Sequence, residues 1–185
     1  YALPFVTDPQ PLTDGVIGKA QIVVTGLVCS NKIYDGKNTG DRFTHEVTGP
    51  DGPLTVTGVW VWQTVNVGTN INVAPIFDPL PTLNYVLSAP SVKGAILPRP
   101  LTIKGISVAA KPYDGNNSAS PEGTALYENL PDGVSPWLPV SGVPIFRFND
   151  AGVGTRKPVT VTGYKAPSEN YTLTQPAGLT ADITA

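Results

Sequence analysis

The sequence predicts an all-β protein built as two small β-sandwich units of the immunoglobulin type, one after the other. Composition, strand-like alternation and an internal repeat carry that expectation. The 185 residues include 19 glycines and 20 prolines. Proline at that frequency excludes long helices, because inside a helix it removes a hydrogen bond and clashes with the preceding turn. Apolar residues make up 41% and the formal net charge is only −2, so the chain has material for a core and is not a disordered segment. The glycines show no three-residue period, which excludes collagen. Short runs that alternate apolar and polar residues between turn formers are what half-buried strands look like.

The repeat organises everything else. Lys32-Ile33-Tyr34-Asp35-Gly36 returns 79 residues later as Lys111-Pro112-Tyr113-Asp114-Gly115, and Ile22 to Gly26 lies on Leu101 to Gly105 at the same spacing. Further along the spacing becomes 86 residues, where Val67-Gly68-Thr69 matches Val153-Gly154-Thr155 and Asn84-Tyr85-Val86-Leu87 matches Asn170-Tyr171-Thr172-Leu173. A seven-residue insertion accounts for the change. The expected division is a first repeat at 21–97 and a second at 98–185. Residues 1–20 read as the end of a preceding repeat plus a linker, because Tyr1-Ala2-Leu3 resembles Tyr85-Val86-Leu87; on that reading the chain is cut from a longer array.

Each element can be justified in turn. Leu101-Thr102-Ile103-Lys104 alternates as a strand does, and after Gly26 and Gly105 the apolar positions change parity, to Leu27 and Cys29 and to Ile106 and Val108. A bulge at each glycine would produce that change. Asp35-Gly36 and Asp114-Gly115 read as turns, the Asp capping the turn and Tyr34 or Tyr113 packing over the adjoining strand. Trp60 and Trp62 alternate with valines and correspond to Phe146 and Phe148, while Val61 between them corresponds to Arg147. Both repeats thus put large aromatics on one face, which predicts a core strand and not a sugar-stacking platform. Asn70 to Pro75 replaces the clean strand Lys157 to Thr162, and Pro75 predicts an edge or a break there. Asn84-Tyr85 and Asn170-Tyr171 read as a turn residue leading into a final strand. Only Pro121 to Leu130 has any helical appeal; a short helix there would make the units β-grasp-like, the alternative fold.

Chemistry-bearing constellations are scarce. The one histidine, His45, has no nucleophile elbow to serve, and Cys29 aligns with Val108 at an apolar position, as a buried thiol would. CxxC and HExxH spacings are absent, so no catalytic residue and no metal site is assigned and the chain is read as a non-enzyme without cofactor. Asp114-x-Asn116-x-Ser118 opens like a calcium loop but lacks the glycine at the sixth position and the acid at the twelfth. Calcium at the junction between repeats, held by scattered acids such as Asp14 or Asp150, is the remaining metal alternative. Lys32 and Lys111 read as surface lysines beside a turn, with an isopeptide link as the minority reading. Trp137 lies in the insertion, within Ser135-Pro136-Trp137-Leu138-Pro139, and has no counterpart in the first repeat. It is the candidate ligand contact, for a glycan or a protein. Lysines and arginines are scattered, which excludes a phosphate-neutralising stripe for nucleic acid, and no apolar run is long enough to insert in a membrane.

The Lys-x-Tyr-Asp-Gly block resembles the YDG repeat, related to MBG-type domains, which occurs in tandem in large bacterial surface adhesins of the filamentous-haemagglutinin and autotransporter kind. The resemblance covers both repeats. It rests on Lys111 to Gly115, Val153 to Gly163, Asn170 to Leu173 and the closing Ala181-Asp182-Ile183-Thr184. It implies an extracellular or cell-surface, non-catalytic module that spaces or presents an adhesive region, with neighbouring repeats of the same chain as its partners. A glycan- or protein-binding module that uses loops of the second repeat is the alternative.

Overall fold

Alternating side chains are translated into strands almost everywhere in the computed structural model, which describes residues 18–80 and 84–185. Among the described residues the chain is all-β, with no helix. The first half holds β1 (Ala20–Val23), β2 (Lys32–Ile33), β3 (Thr39–Gly49), β4 (Gly52–Trp62), β5 (Gly68–Phe77), β6 (Tyr85–Ser88) and β7 (Val92–Leu97). The second holds β8 (Arg99–Val108), β9 (Lys111–Pro112), β10 (Pro121–Glu128), β11 (Ser141–Phe148), β12 (Gly154–Lys165), β13 (Tyr171–Leu173) and β14 (Leu179–Thr184). Tyr1-Ala2-Leu3 and Asp14 lie outside the described residues.

Register repeats between the halves at the spacings read from the sequence. β1 runs parallel to β6 with Ala20 opposite Tyr85, and β8 runs parallel to β13 with Arg99 opposite Tyr171. β4 pairs antiparallel with β5, placing Trp62 opposite Val73; β11 pairs with β12, placing Phe148 opposite Val159. β5 meets β7 at Gly68–Ile96 and Ile71–Gly94, and β12 meets β14 at Gly154–Ile183 and Lys157–Ala181. Both of these ladders shift at the same step, and the same position there takes a left-handed backbone, Asn70 at φ 57° and Arg156 at φ 49°. Finally β2 runs parallel to β7 and β9 parallel to β14. The sheets are therefore mixed, where an immunoglobulin sandwich has antiparallel ones. They are small: β1-β6, β2-β7-β5-β4-β3, β10-β8-β13 and β11-β12-β14-β9.

The cores follow the registers. Trp60, Trp62, Val73 and Ile96 are buried together, with Leu27 and Cys29 packed against them. Phe146, Phe148, Val159 and Ile183 are buried at the matching places, with Val108 among them. Where the first half seats the larger indole of Trp62, it faces Gly94. A Cβ on that glycine would lie 2.6 Å from the ring. The second half has the smaller ring of Phe148 and Ala181 in the matching position, so side-chain volume is exchanged between two sites and the packed total kept.

The bulge expected at each glycine is corrected: Gly26 lies outside any strand, and at Gly105 the irregularity belongs to the neighbouring strand. β8 buries Leu101 and Ile103 in one cluster, with Tyr127, and Val108 in another. The ladder to β10 shifts opposite Gly105, with the extra residue on β10. Gly105 and Gly123 both have positive φ, at 80° and 85°, and a Cβ on either would fall within 2.4 Å of a carbonyl oxygen across the ladder. Only glycine fits this crossing.

The helical alternative is corrected. Residues 121–128 form a strand and not a short helix. The left-handed Gly123 and pairing along β8 from Val108 to Thr102 compete successfully with a weak helical preference. Pro75 sits at a local edge, one of the two outcomes expected there: β5 continues past it, paired to Trp60 on one side, and β7 has already ended opposite Val73 on the other. The missing N–H of Pro75 therefore leaves no gap in that second ladder. The halves also differ. β3 forms a long hairpin with β4, whereas β10 leaves β11 and joins β8, and the insertion spans the gap. Tyr127 ties the displaced strand back, its hydroxyl accepting from the Ser141 amide at 3.2 Å and donating to the Lys165 carbonyl at 2.6 Å.

Candidate functional site

The Lys-x-Tyr-Asp-Gly blocks fold as turns wrapped around a lysine. β2 and β9 carry Lys32 and Lys111 into position, and each ammonium reaches back over the following turn. Lys32 Nζ lies 2.7 Å from Asp35 Oδ1 and donates to the carbonyls of Lys37 at 2.8 Å and Thr39 at 2.9 Å. Lys111 Nζ lies 2.7 Å from Asp114 Oδ1 and donates to the Asn116 carbonyl at 2.8 Å and to Asn116 Oδ1 at 3.0 Å. The carboxylates cap as well: Asp35 Oδ1 accepts from the Lys37 amide and Asp114 Oδ1 from the Asn116 amide, with Gly36 and Gly115 supplying the left-handed residue of the turn. Neither lysine is a surface residue. Their side chains are only 11% and 17% exposed, because the turn supplies enough acceptors to replace water.

Electrostatics follows from those contacts. Burial pushes the Asp35 carboxyl upward, but the Lys32 bond, the Lys37 amide and the lysine charge outweigh it and hold the group below the ordinary carboxylate value. The Lys111 bond and then the Asn116 amide lower Asp114. The residues that open like a calcium loop thus have an ammonium of the protein at their centre. Asp150 is engaged in the same way, by Lys157 Nζ at 2.5 Å and the Gly152 amide at 2.8 Å.

The two tyrosines of the blocks meet different fates. Tyr34 packs edge-on against Tyr171 of the other half, ring centres 5.2 Å apart and planes at 78°. Tyr113 is 57% exposed. Next to the Tyr34–Tyr171 contact, Asn170 bridges the halves: its Oδ1 accepts from the Val67 amide at 2.9 Å and its Nδ2 donates to Asn66 Oδ1 at 3.0 Å. The Asn170 carbonyl accepts from the Arg99 amide at 3.0 Å, which fixes the bridging residue to the start of β8. Burial, then the charge and hydrogen bond of Tyr34, raise the Tyr171 phenol above its usual value. Asn84 and Tyr85 hold the matching place in the first half; the Asn84 carbonyl accepts from Ala20, and the Tyr85 hydroxyl bonds Asp51. The bridging use of Asn170 and Tyr34 escapes a reading of either residue as a local turn former. Their one signal is recurrence at positions where the turn itself does not require tyrosine.

Residues 97–178 match the YDG domain. The YDG match spans β8 through β13 and ends just before β14 begins. It does not extend to the first half, whose β5 carries the atypical Asn70 to Pro75 stretch. No curated protein and no solved structure matches the chain.

The remaining candidates are placed apart. Trp60, Trp62, Phe146 and Phe148 are all buried, at 4%, 2%, 4% and 2% exposure. The Trp62 indole N–H has no hydrogen-bond partner among the described residues and borders a cleft of about 230 Å³ between residues 28–32 and 40–43. Trp137, in the insertion of the YDG segment, is 73% exposed, and the neighbouring loop from Asn129 to Pro136 lines a cleft of about 320 Å³. His45 Nε2 lies 3.1 Å from the Thr25 carbonyl, and Cys29 is half-buried, its thiol pushed up by burial and then by the charge of Asp41.

Proposed function

We propose that the chain is a non-catalytic structural segment of a secreted or cell-surface adhesin, made of two copies of one β unit in series, which spaces and presents an adhesive region. The observation that carries this reading is the contact of Asn170 and Tyr171 with Tyr34, Asn66 and Val67, by which one half grips the next. The matching registers of the two halves support the tandem division at 21–97 and 98–185, and the YDG match supports the family of the second unit. A single proline, Pro98, separates β7 from β8 and leaves little slack between units. Its partners are then other repeats, with no nucleic acid and no cofactor required. Small-angle scattering tests the reading. An elongated profile with a narrow spread of lengths is expected, and a broad spread would count against a spacer.

One observation favours a second reading, a binding module for glycan or host protein: Trp137 is exposed in a loop that the first half lacks. Binding on a glycan array or to a host-protein panel, lost in Trp137→Ala with the melting temperature unchanged, would establish it. Under the spacer reading no such binding is found.

A further inference from the structure

The surface of the first half that receives Asn170 and Tyr171 has a counterpart on the second half, and that counterpart is uncovered. Tyr34 corresponds to Tyr113, and Val67 to Val153. Where Tyr34 is half-buried against Tyr171, Tyr113 is 57% exposed and Val153 55% exposed. The Val67 amide donates to Asn170 Oδ1, whereas no bond from the Val153 amide is found among the described residues. The supporting geometry is otherwise the same. Thr64 Oγ1 accepts from the Asn66 amide as Asp150 Oδ1 does from the Gly152 amide. The Tyr34 amide donates to the Leu97 carbonyl at 2.9 Å, and the Tyr113 amide to the Thr184 carbonyl at 2.8 Å.

We propose that Tyr113 and Val153 form a docking surface for the Asn-Tyr segment of another YDG-type unit, received as Tyr34 and Val67 receive Asn170 and Tyr171. The occupant is set by continuity with the contact already inside the chain. The receiving tyrosine takes an incoming tyrosine edge-on, and the receiving amide donates to an asparagine oxygen, which aliphatic or charged partners could not both supply. One departure narrows the geometry: Gly152 stands where Asn66 accepts from Asn170 Nδ2, so the second bridge is missing and the incoming asparagine is held through its oxygen alone. The proposal rests on the tandem-spacer reading and adds to it which atoms continue the series.

The test uses the full chain and a fusion in which a second copy of residues 99–185 follows Ala185, compared by amide hydrogen exchange. In the full chain the Val67 amide is expected to exchange slowly and the Val153 amide fast. In the fusion the Val153 amide should slow by roughly two- to twelvefold, the range of one net hydrogen bond. Asn170→Ala in the appended copy should abolish that slowing. Should that variant misfold, Tyr113→Ala serves instead: it is expected to leave the 185-residue chain unchanged and to reduce Val153 protection only in the fusion. A Val153 amide that stays fast beside a protected Val67 overturns the docking surface and leaves the internal contact intact. A fast Val67 in the full chain overturns the template itself, and the spacer reading with it.

Discussion

At Trp62 the two halves show how one backbone accepts different side chains. The indole fills space that Gly94 vacates, and the second half reaches a similar packed volume with Phe148 and Ala181. Gly94→Ala should therefore overpack the first core and cost about 1–3 kcal/mol in a urea titration. Trp62→Phe in the same chain should recover most of that loss, and a cycle that came out additive would refute the exchange of volume. The lysine-centred turns make a second residue-scale prediction. Lys32→Met leaves Asp35 and two carbonyls without their donor and should cost about 1–2 kcal/mol at pH 7. Because the Asp35 carboxyl is held low in the fold, its contribution is complete above the unfolded value of about 4 and is lost as pH falls through the folded value. The gap between wild type and Lys32→Met is thus expected to narrow in titrations near pH 3 compared with pH 7. The Lys-Tyr-Asp-Gly spacing makes the turn and its cap legible in sequence. It cannot show the lysine's burial, which depends on carbonyls that converge only when the turn closes.

At the scale of the strand, glycine placement does what alternation alone cannot. The parity change at Gly105 is visible in the spacing of Leu101, Ile103, Ile106 and Val108, and it marks where β8 passes from one core to another, while the extra residue of the ladder lies on β10. Its partner Gly123 has no such signature, because a strand crossing is set by which distant segments meet. For the same reason the pairing of β10 with β8 could not be read from residues 121–128, where the local pattern also tolerates a helical turn. Gly123→Ala tests the crossing: it forces a left-handed alanine and places its Cβ 2.3 Å from the Gly105 carbonyl oxygen. A loss of about 2 kcal/mol or more in chemical unfolding is expected, since the left-handed conformation alone costs roughly 1–2 kcal/mol. A neutral result would mean that β10 does not cross β8 there.

At the scale of the whole molecule, everything turns on whether the halves move as one. Each half has its own buried core, and the contacts between them among the described residues include the Tyr34–Tyr171 pair, the Asn170 bridge and the short passage through Pro98. The matched spacings of the sequence were legible and reappear as matched strand registers. The junction was not, since it uses residues that already had local explanations. Residual dipolar couplings address it most directly. Backbone amides of residues 18–97 and 98–185 are expected to fit one alignment tensor, and Asn170→Ala combined with Tyr34→Ala should split it into two of different magnitude. Two different tensors in the unmutated chain would contradict a fixed junction, and with it the spacer that the junction is proposed to build.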